Sequence, residues 1–268
     1  MERIPQGVLD AGIAATRFEL TRHEPMEALR PFVQYYWVVR WDLRGRPAHL
    51  QRVLPNLSVH VSFSRAASGV WAPSREVFSH LLEDRDQVLG ARFRPGCFRS
   101  FARRPMSEFS GRVVSLAEVF GPQARETEDE LLAAAEPAEM ARLADELLGK
   151  DVPALSAAEE QARDAVRVVA SDPGMTRVAA LAEATGLSAR TLQRLFATCV
   201  GVSPKWAIRV HRLDDAARRI ADDPGLNHAD LAHELGYSDQ AHFVRDFTTV
   251  VGTPPARYAR AQAAEPRT

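Results

Sequence analysis

Three polar side chains able to read nucleic-acid bases occur together between residues 190 and 194. Arg190, Gln193 and Arg194, followed by Ala197, have the spacing i, i+3, i+4 and i+7 and therefore share one side of a helix. An arginine can donate two hydrogen bonds to guanine O6 and N7, and a glutamine can pair with adenine N6 and N7. The opposite side carries the apolar stripe Leu192, Leu195, Phe196 and Cys199. Taken alone, this pattern favours a solvated amphipathic helix over a base-reading one, because charged side chains are usually exposed.

A second helical segment, between residues 239 and 250, repeats this division. Its apolar stripe is Phe243, Phe247 and Val250, and its polar side chains are Asp239, Gln240, His242, Arg245 and Thr248. Asp239 is ambiguous, because a first-turn acid is favoured by the helix dipole whether or not it meets a cytosine.

The two segments belong to a longer repeat. The first copy contains Leu181, Ala182, Gly186, Ser188, Arg194, Phe196, Gly201 and Pro204. The second contains Leu231, Ala232, Gly236, Ser238, Arg245, Phe247, Gly252 and Pro255, at a spacing of 50 residues that becomes 51 after the serine.

Each copy predicts a helix, a tight turn at glycine, and a second helix whose N-cap is Ser188 in the first copy and Ser238 in the second. Backbone N–H groups near these caps are then available to phosphates. Two helix-turn-helix units in register predict a reader of two segments of one DNA duplex.

These motifs resemble the AraC/XylS family of bacterial transcription regulators. The resemblance covers about residues 156 to 260 and rests on L-A-x-x-x-G-x-S with L-x-R-x-F in the first copy. In the second copy it rests on G-Y-S-D-Q-A-H-F-V-R-D-F and V-G-T-P-P-A-R-Y. The resemblance implies sequence-specific binding of double-stranded DNA. It also implies that the start of the second reading helix contacts bases, which makes Gln240 and Arg245 candidates for base or phosphate contact and His242 a further one.

A connecting helix from about Trp206 to Ala221 corresponds to the family's linker between the two units. At about 1.5 Å per residue it spans roughly 24 Å, so with its flanking helices it can hold two reading helices about 34 Å apart, one DNA turn. Lys205, Arg209 and Arg212 are candidates for phosphate contact or for ion pairs with neighbouring helices.

The first part of the chain has strand character. An aromatic and β-branched run covers residues 34–42, and Leu57, Val59, Val61 and Phe63 alternate with polar residues, which predicts a strand with one buried face. Residues 77–82 and 87–93 are further strand candidates. The pattern predicts a small barrel or sandwich, and the family resemblance implies a cupin-like one.

Amphipathic helices are expected next, at residues 116–120, 126–135 and 137–148, with Met140, Leu143, Leu147 and Leu148 as an apolar stripe for packing on the barrel or on a second subunit. We therefore expect a two-domain α+β protein. Its strand-rich domain with a helical tail covers residues 1–149, its linker 150–155, and its all-α domain with two helix-turn-helix units 156–268. Ser156 and Glu159 form the capping-box pattern that opens the second domain.

Composition favours an ordinary intracellular globular protein. The chain has 268 residues, 46% hydrophobic and 26% charged, with a formal charge of −1. No apolar run is long enough to span a membrane and no leader is evident, so we expect a cytoplasmic bacterial protein. Cys97 and Cys199 are expected to be reduced thiols. His49, His60 and His80 are scattered without a His-x-His pair, so no metal, cofactor or catalytic site is predicted.

The role of the first domain stays open at this point. It can bind a small-molecule effector, or it can act only as a dimerisation and protein-interaction module. Its aromatic residues can line a pocket or fill the core, and core is the more frequent outcome: Tyr35, Trp37, Trp41, Phe63, Trp71 and Phe93. Activation, which would require RNA polymerase as a partner, and repression are not distinguished by the sequence.

Overall fold

In the described residues, the first domain consists of two antiparallel sheets and five α-helices. The computed structural model describes residues 7–9 and 11–263. The strands are β1 Glu19–His23, β2 Val33–Asp42, β3 His49–Val53, β4 His60–Ser64, β5 Gly69–Trp71, β6 Phe78–Leu82, β7 Arg85–Phe93 and β8 Val113–Val114. Six of them form one sheet in the order β1-β2-β7-β4-β5-β8, and β3 pairs with β6 in a second sheet. The ring centroids of Trp71 in β5 and Phe78 in β6 are 5.4 Å apart, so the small sheet packs over one face of the large sheet.

The other face of the large sheet packs on helices. The helices of this domain are α1 Ala11–Ala15, α2 Arg99–Ala102, α3 Leu116–Phe120, α4 Ala124–Ala133 and α5 Pro137–Gly149, with short 3-10 turns at Glu27–Leu29 and Met106–Phe109. The predicted stripe of α5 is buried within this same domain, so the intramolecular alternative is the one observed. Tyr36 of β2 donates a 2.7 Å hydrogen bond to Asp145 of α5. Burial, reinforced by Asp145, raises the pKa of Tyr36.

One strand prediction is wrong in part. Leu57, Val59, Val61 and Phe63 are buried as expected, but the alternating residues Ser58 and Ser62 are only 2% and 8% exposed. Ser62 is covered by Trp71 of the neighbouring β5, whose indole N–H donates to the Ser62 hydroxyl at 2.6 Å. Ser58 lies just before β4, where its backbone N–H donates to the Asn56 side chain at 2.9 Å.

The second domain is all-helical. Its helices are α6 Ala157–Ser171, α7 Val178–Thr185, α8 Ala189–Leu195, α9 Pro204–Asp222, α10 His228–Glu234, α11 Gln240–Val251 and α12 Pro255–Ala263. The capping box at the start of α6 is present as predicted: Ser156 accepts from the Glu159 backbone while the Glu159 side chain accepts from the Ser156 backbone. The predicted two-domain α+β fold is confirmed.

The two domains pack closely on each other. Glu159 of α6 is fully buried and accepts hydrogen bonds from the backbone N–H of Ser100, at 2.8 Å, and from the Ser100 hydroxyl. At the far end of α8, the Ser110 hydroxyl donates to the Gly201 carbonyl at 2.8 Å. Leu9, Leu54 and Leu57 of the first domain join the hydrophobic core of the second. Irregular backbone from Asp151 to Leu155 links the two domains, which nevertheless share a continuous interface.

Candidate nucleic-acid interface

Both helix-turn-helix units have the predicted turn geometry. Gly186 and Gly236 lie between their helices with φ of 68° and 71°, in the left-handed region where glycine avoids the Cβ penalty. The turns that precede them are also equivalent, because Asp172 and Asp223 each accept a hydrogen bond from the glycine two residues later, at 2.8 and 3.0 Å. The sequence duplication is therefore a structural one.

The first reading helix presents the expected face. Arg190, Gln193, Arg194 and Ala197 are exposed, and Leu192 and Phe196 are fully buried. Ser188 is the N-cap of α8, as predicted, and accepts from the backbone N–H of Thr191 at 3.1 Å. After Leu195 the helix continues as one π turn over Phe196–Val200. Two arginines and a glutamine thus occupy one open surface, where their donors can reach base edges or phosphates.

The second reading helix also exposes its polar set, which comprises Ser238, Asp239, Gln240, His242 and Arg245. Its core residues Phe243 and Phe247 are fully buried, with ring centroids 5.6 Å apart. The His242 ring lies edge-on against Tyr237 at 5.1 Å. His242 is therefore held in place, and Gln240 and Arg245 project freely.

The predicted cap of this second helix is wrong by one residue. Asp239, and not Ser238, is the N-cap: its carboxylate accepts from the His242 backbone at 2.7 Å, which lowers the Asp239 pKa. Ser238 instead contacts Asp239 and the His242 ring. The spacing of the two copies changes from 50 to 51 after the serine, so Asp239 takes the position that Ser188 has in the first copy.

We predict that this shift is measurable. Asp239→Ala should lower the Tm of the protein, because the backbone N–H of His242 then loses its acceptor and the start of α11 loses a favourable negative charge. Ser238→Ala should leave the Tm almost unchanged. Thermal unfolding followed by circular dichroism tests both. A larger loss for Ser238→Ala would show that the serine is the true cap.

The cations of the connecting helix divide into two groups. Lys205 is exposed near the start of α9, a helix capped by Ser203. Arg209 pairs with Asp246 of α11 at 2.5 Å, and Arg212 lies 4.0 Å over the ring of Tyr237. Both arginines are half-buried with intramolecular partners, so they fix α11 against α9 in this structure. Their contact with phosphate stays a prediction.

Sequence reasoning missed the acceptor in this network. Asp246 receives both the Arg209 ion pair and a 2.9 Å hydrogen bond from the Tyr237 hydroxyl. Burial, followed by the charge of Asp246, raises the pKa of Tyr237. Asp246 lies one residue before the buried Phe247, and this position on the edge of the apolar stripe is the only signal that the sequence offers.

Two models of known families match this chain, one in each domain. Residues 181–261 match a family model described as a helix-turn-helix domain, and residues 21–115 match one described as a domain of unknown function (DUF6597). The first match spans both units and their connecting helix. The double helix-turn-helix domain of this chain is of the AraC/XylS type. The chain is accordingly a DNA-binding regulator of that type.

Solved structures similar to this chain include forms of ToxT from Vibrio cholerae. An apo mutant of ToxT is 11% identical over 98% of this chain and 100% of that one, with a TM-score of 0.38. Wild-type ToxT bound to an unsaturated fatty acid is 11% identical over 94% and 92%, with a TM-score of 0.37. Another ToxT structure has a TM-score of 0.39 at 9% identity over 93% and 99%. These scores are too low for a superposition to place a ligand in this chain.

The described residues of this protein contain no cluster of three or more histidine, cysteine or acidic side chains suited to a metal. Within 7–9 and 11–263 no helix has the length and apolar character to cross a membrane. Cys97 and Cys199 are buried free thiols, as predicted.

Proposed function

We propose that the protein binds a specific DNA site by placing α8 and α11 in two adjacent major grooves. The observation that supports this most directly is the shared geometry of the two units: each buries its phenylalanines and exposes an arginine and a glutamine on its second helix. The 19-residue helix α9 joins them, and it spans about 28 Å at about 1.5 Å per residue. That length suits two reading helices about one DNA turn, or 34 Å, apart.

In this proposal the two reading helices contribute differently. Arg190, Gln193 and Arg194 read bases from α8, and Gln240 and Arg245 contact bases or phosphates from α11, with Asp239 and His242 at the edge of the contact. Lys205 and the exposed backbone near Ser188 position the phosphates. A rigid connecting helix also fixes the distance between α8 and α11, so the two major grooves must match that distance. Bending the DNA to achieve this costs about 1–6 kcal/mol.

We predict a loss of sequence preference for two variants of α8. Arg190→Ala and Gln193→Ala should each weaken a cognate site by about 1–3 kcal/mol and relax the preference at one or two base pairs. Selection from a randomised duplex library, followed by gel-shift titration, measures both effects. Arg167→Ala on α6 is the matched control, since this arginine is 76% exposed on another helix. Equal losses on every sequence would mean that these side chains contact only phosphates.

We further propose that the first domain controls the helical domain by binding a small-molecule effector. Three of its aromatic side chains, Tyr35, Trp37 and Trp71, are half-exposed on the sheet face under β3 and β6, while Trp41, Phe63 and Phe93 are buried as core. Aromatic side chains are frequent in the lining of ligand sites. The interface through Glu159 and Gly201 connects this domain directly to α6 and to the end of the π turn that follows α8.

The alternative is a domain that only dimerises. Two measurements separate effector binding from dimerisation alone. DNA footprinting with and without the small-molecule fraction of a cell extract detects an effector, and sedimentation of the full chain measures its oligomeric state. An effector can change the affinity for the operator only by as much as its own affinities for the DNA-competent and the DNA-incompetent states differ. Dimerisation without an extract effect would favour the alternative. Promoter activation would add RNA polymerase as a partner, and the proposal contains no catalytic step.

A further inference from the structure

One face of the large sheet combines aromatic rings with cations. In the strand register, Arg22 is opposite Trp37, and Tyr35 is opposite Arg92, which is opposite His60. Because side chains alternate along a strand, these residues and Trp71 all lie on one face. They form what we name the arginine face: Arg22, Tyr35, Trp37, His60, Trp71 and Arg92.

A glycine makes room for the largest ring of this face. A Cβ atom added to Gly90 of β7 would lie 2.1 Å from the Trp37 ring, so the indole rests directly on the β7 backbone. The indole N–H donates to Nδ1 of His60 at 3.3 Å. Trp37 is thus fixed in position beside the two arginines.

The two arginines both lie over the ring of Tyr35. Their guanidinium carbons lie 5.0 Å (Arg22) and 5.9 Å (Arg92) from the centre of the Tyr35 ring. The Nε atoms of both are buried without a hydrogen-bond partner. Among the described residues, no carboxylate forms an ion pair with either one. Two half-buried guanidinium groups near one ring repel each other, and a bound anion would relieve that repulsion.

His60 supplies a third donor. Burial, and then the charge of Arg92, lowers the pKa of His60 to about 3, so its ring is neutral at pH 7. Because Nδ1 accepts the hydrogen bond from Trp37, the single ring proton is on Nε2. That Nε2 atom is buried and has no acceptor. Arg22, Arg92 and His60 therefore offer donors only.

We propose that the arginine face binds a small organic anion, with its carboxylate on Arg22, Arg92 and His60 and its apolar part against Tyr35 and Trp37. The inference rests on the proposed effector control and names the chemical class of the effector. Matched charge favours a carboxylate over a neutral polyol, which would need acceptors as well as donors.

The same site is connected to the DNA-binding domain through Arg92. Its positive charge acts on His211 and Asp214, two half-buried residues of α9. Burial raises the pKa of Asp214, and the charges of Arg218 and then Arg92 oppose that rise. A bound carboxylate would compete with Asp214 for Arg92, and so would change the attraction between the sheet and the helix that spaces the two reading helices.

The test uses the full chain and two probes, phenylacetate and octanoate, with phenylacetamide as the uncharged control. Tryptophan fluorescence and calorimetry measure binding. We expect at least one carboxylate to bind, and phenylacetamide to bind at least about tenfold more weakly than phenylacetate.

Arg22→Gln and Arg92→Gln should each lower the affinity for the carboxylate about tenfold, in line with the loss of hydrogen bonds to charged groups. Arg40→Gln is the matched control, because Arg40 is half-buried on the opposite face of β2. Asp214→Asn should strengthen binding, since it removes the competing acid.

Several outcomes would overturn the inference: no binding of either carboxylate, equal binding of the amide, or binding that both arginine variants leave unchanged. If Arg92→Gln fails to fold, Arg22→Gln and the amide comparison still decide. The proposed function is tested separately by operator affinity. If a carboxylate binds in an arginine-dependent way but the affinity for DNA does not change, the anion site is supported and effector control is contradicted. If the protein binds DNA but neither carboxylate, only the anion site is contradicted.

Discussion

Replacing Glu159 with alanine is expected to lower the free energy of unfolding by about 3 kcal/mol or more, because several buried hydrogen bonds to a carboxylate are lost together. The side chain is fully buried where the two domains meet. It accepts from the backbone of Ser100 at 2.8 Å and of Ser156 at 3.1 Å, and from both serine hydroxyls. Without the carboxylate, these donors remain buried and unpaired.

Two serine variants separate the parts of this effect. Ser156→Ala removes a hydroxyl inside the capping box of α6, and Ser100→Ala removes one that crosses the domain interface. Each should cost about 1–2 kcal/mol, the usual loss for one cap or one hydrogen bond to a charged group. Denaturant unfolding measures the stabilities, and hydrogen exchange in residues 99–102 measures the docking. We expect faster exchange there for Ser100→Ala. A Glu159→Ala protein within 1 kcal/mol of the wild type would show that the carboxylate does not hold the domains together.

The second domain could be predicted from sequence because its signals are local. A turn glycine, a capping serine and an apolar stripe each act within a few residues, as Gly186, Ser188 and Phe196 show. The capping box at Ser156 was predicted for the same reason. The error at Ser238 has a local cause too: one inserted residue moved the cap to Asp239, and both residue types are good caps.

The arginine face could not be predicted, since it depends on contacts between distant strands. Arg22 and Arg92 are 70 positions apart, and only the strand order β1-β2-β7 brings both of them to Tyr35. The partners of Arg209 were undecided for a similar reason, because Asp246 reaches it only after α11 has packed on α9. The burial of Glu159 likewise depends on docking between domains, which no periodicity in α6 reveals.

Truncating the equivalent phenylalanines of the two units should have a comparably large effect. Phe196→Ala and Phe247→Ala are each expected to reduce the free energy of unfolding by about 3–5 kcal/mol, since a fully buried aromatic side chain is replaced by a cavity. Both side chains are 0% exposed. Phe247 also contacts the rings of Phe243 and Tyr258, with centroids 5.6 and 5.7 Å away.

The matched controls are Arg194→Ala and Arg245→Ala, exposed positions two residues earlier on the same helices. Denaturant titration of all four variants should show large losses only for the phenylalanines, while gel shifts at low temperature should show weaker DNA binding for the arginine variants without loss of folding. Similar costs for Phe196→Ala and Phe247→Ala would indicate that both units belong to one cooperative core, as their shared cluster of buried side chains implies. A small cost for Phe247→Ala alone would mean that α11 can loosen independently of α8, and a rigid spacing of two reading helices would then be excluded.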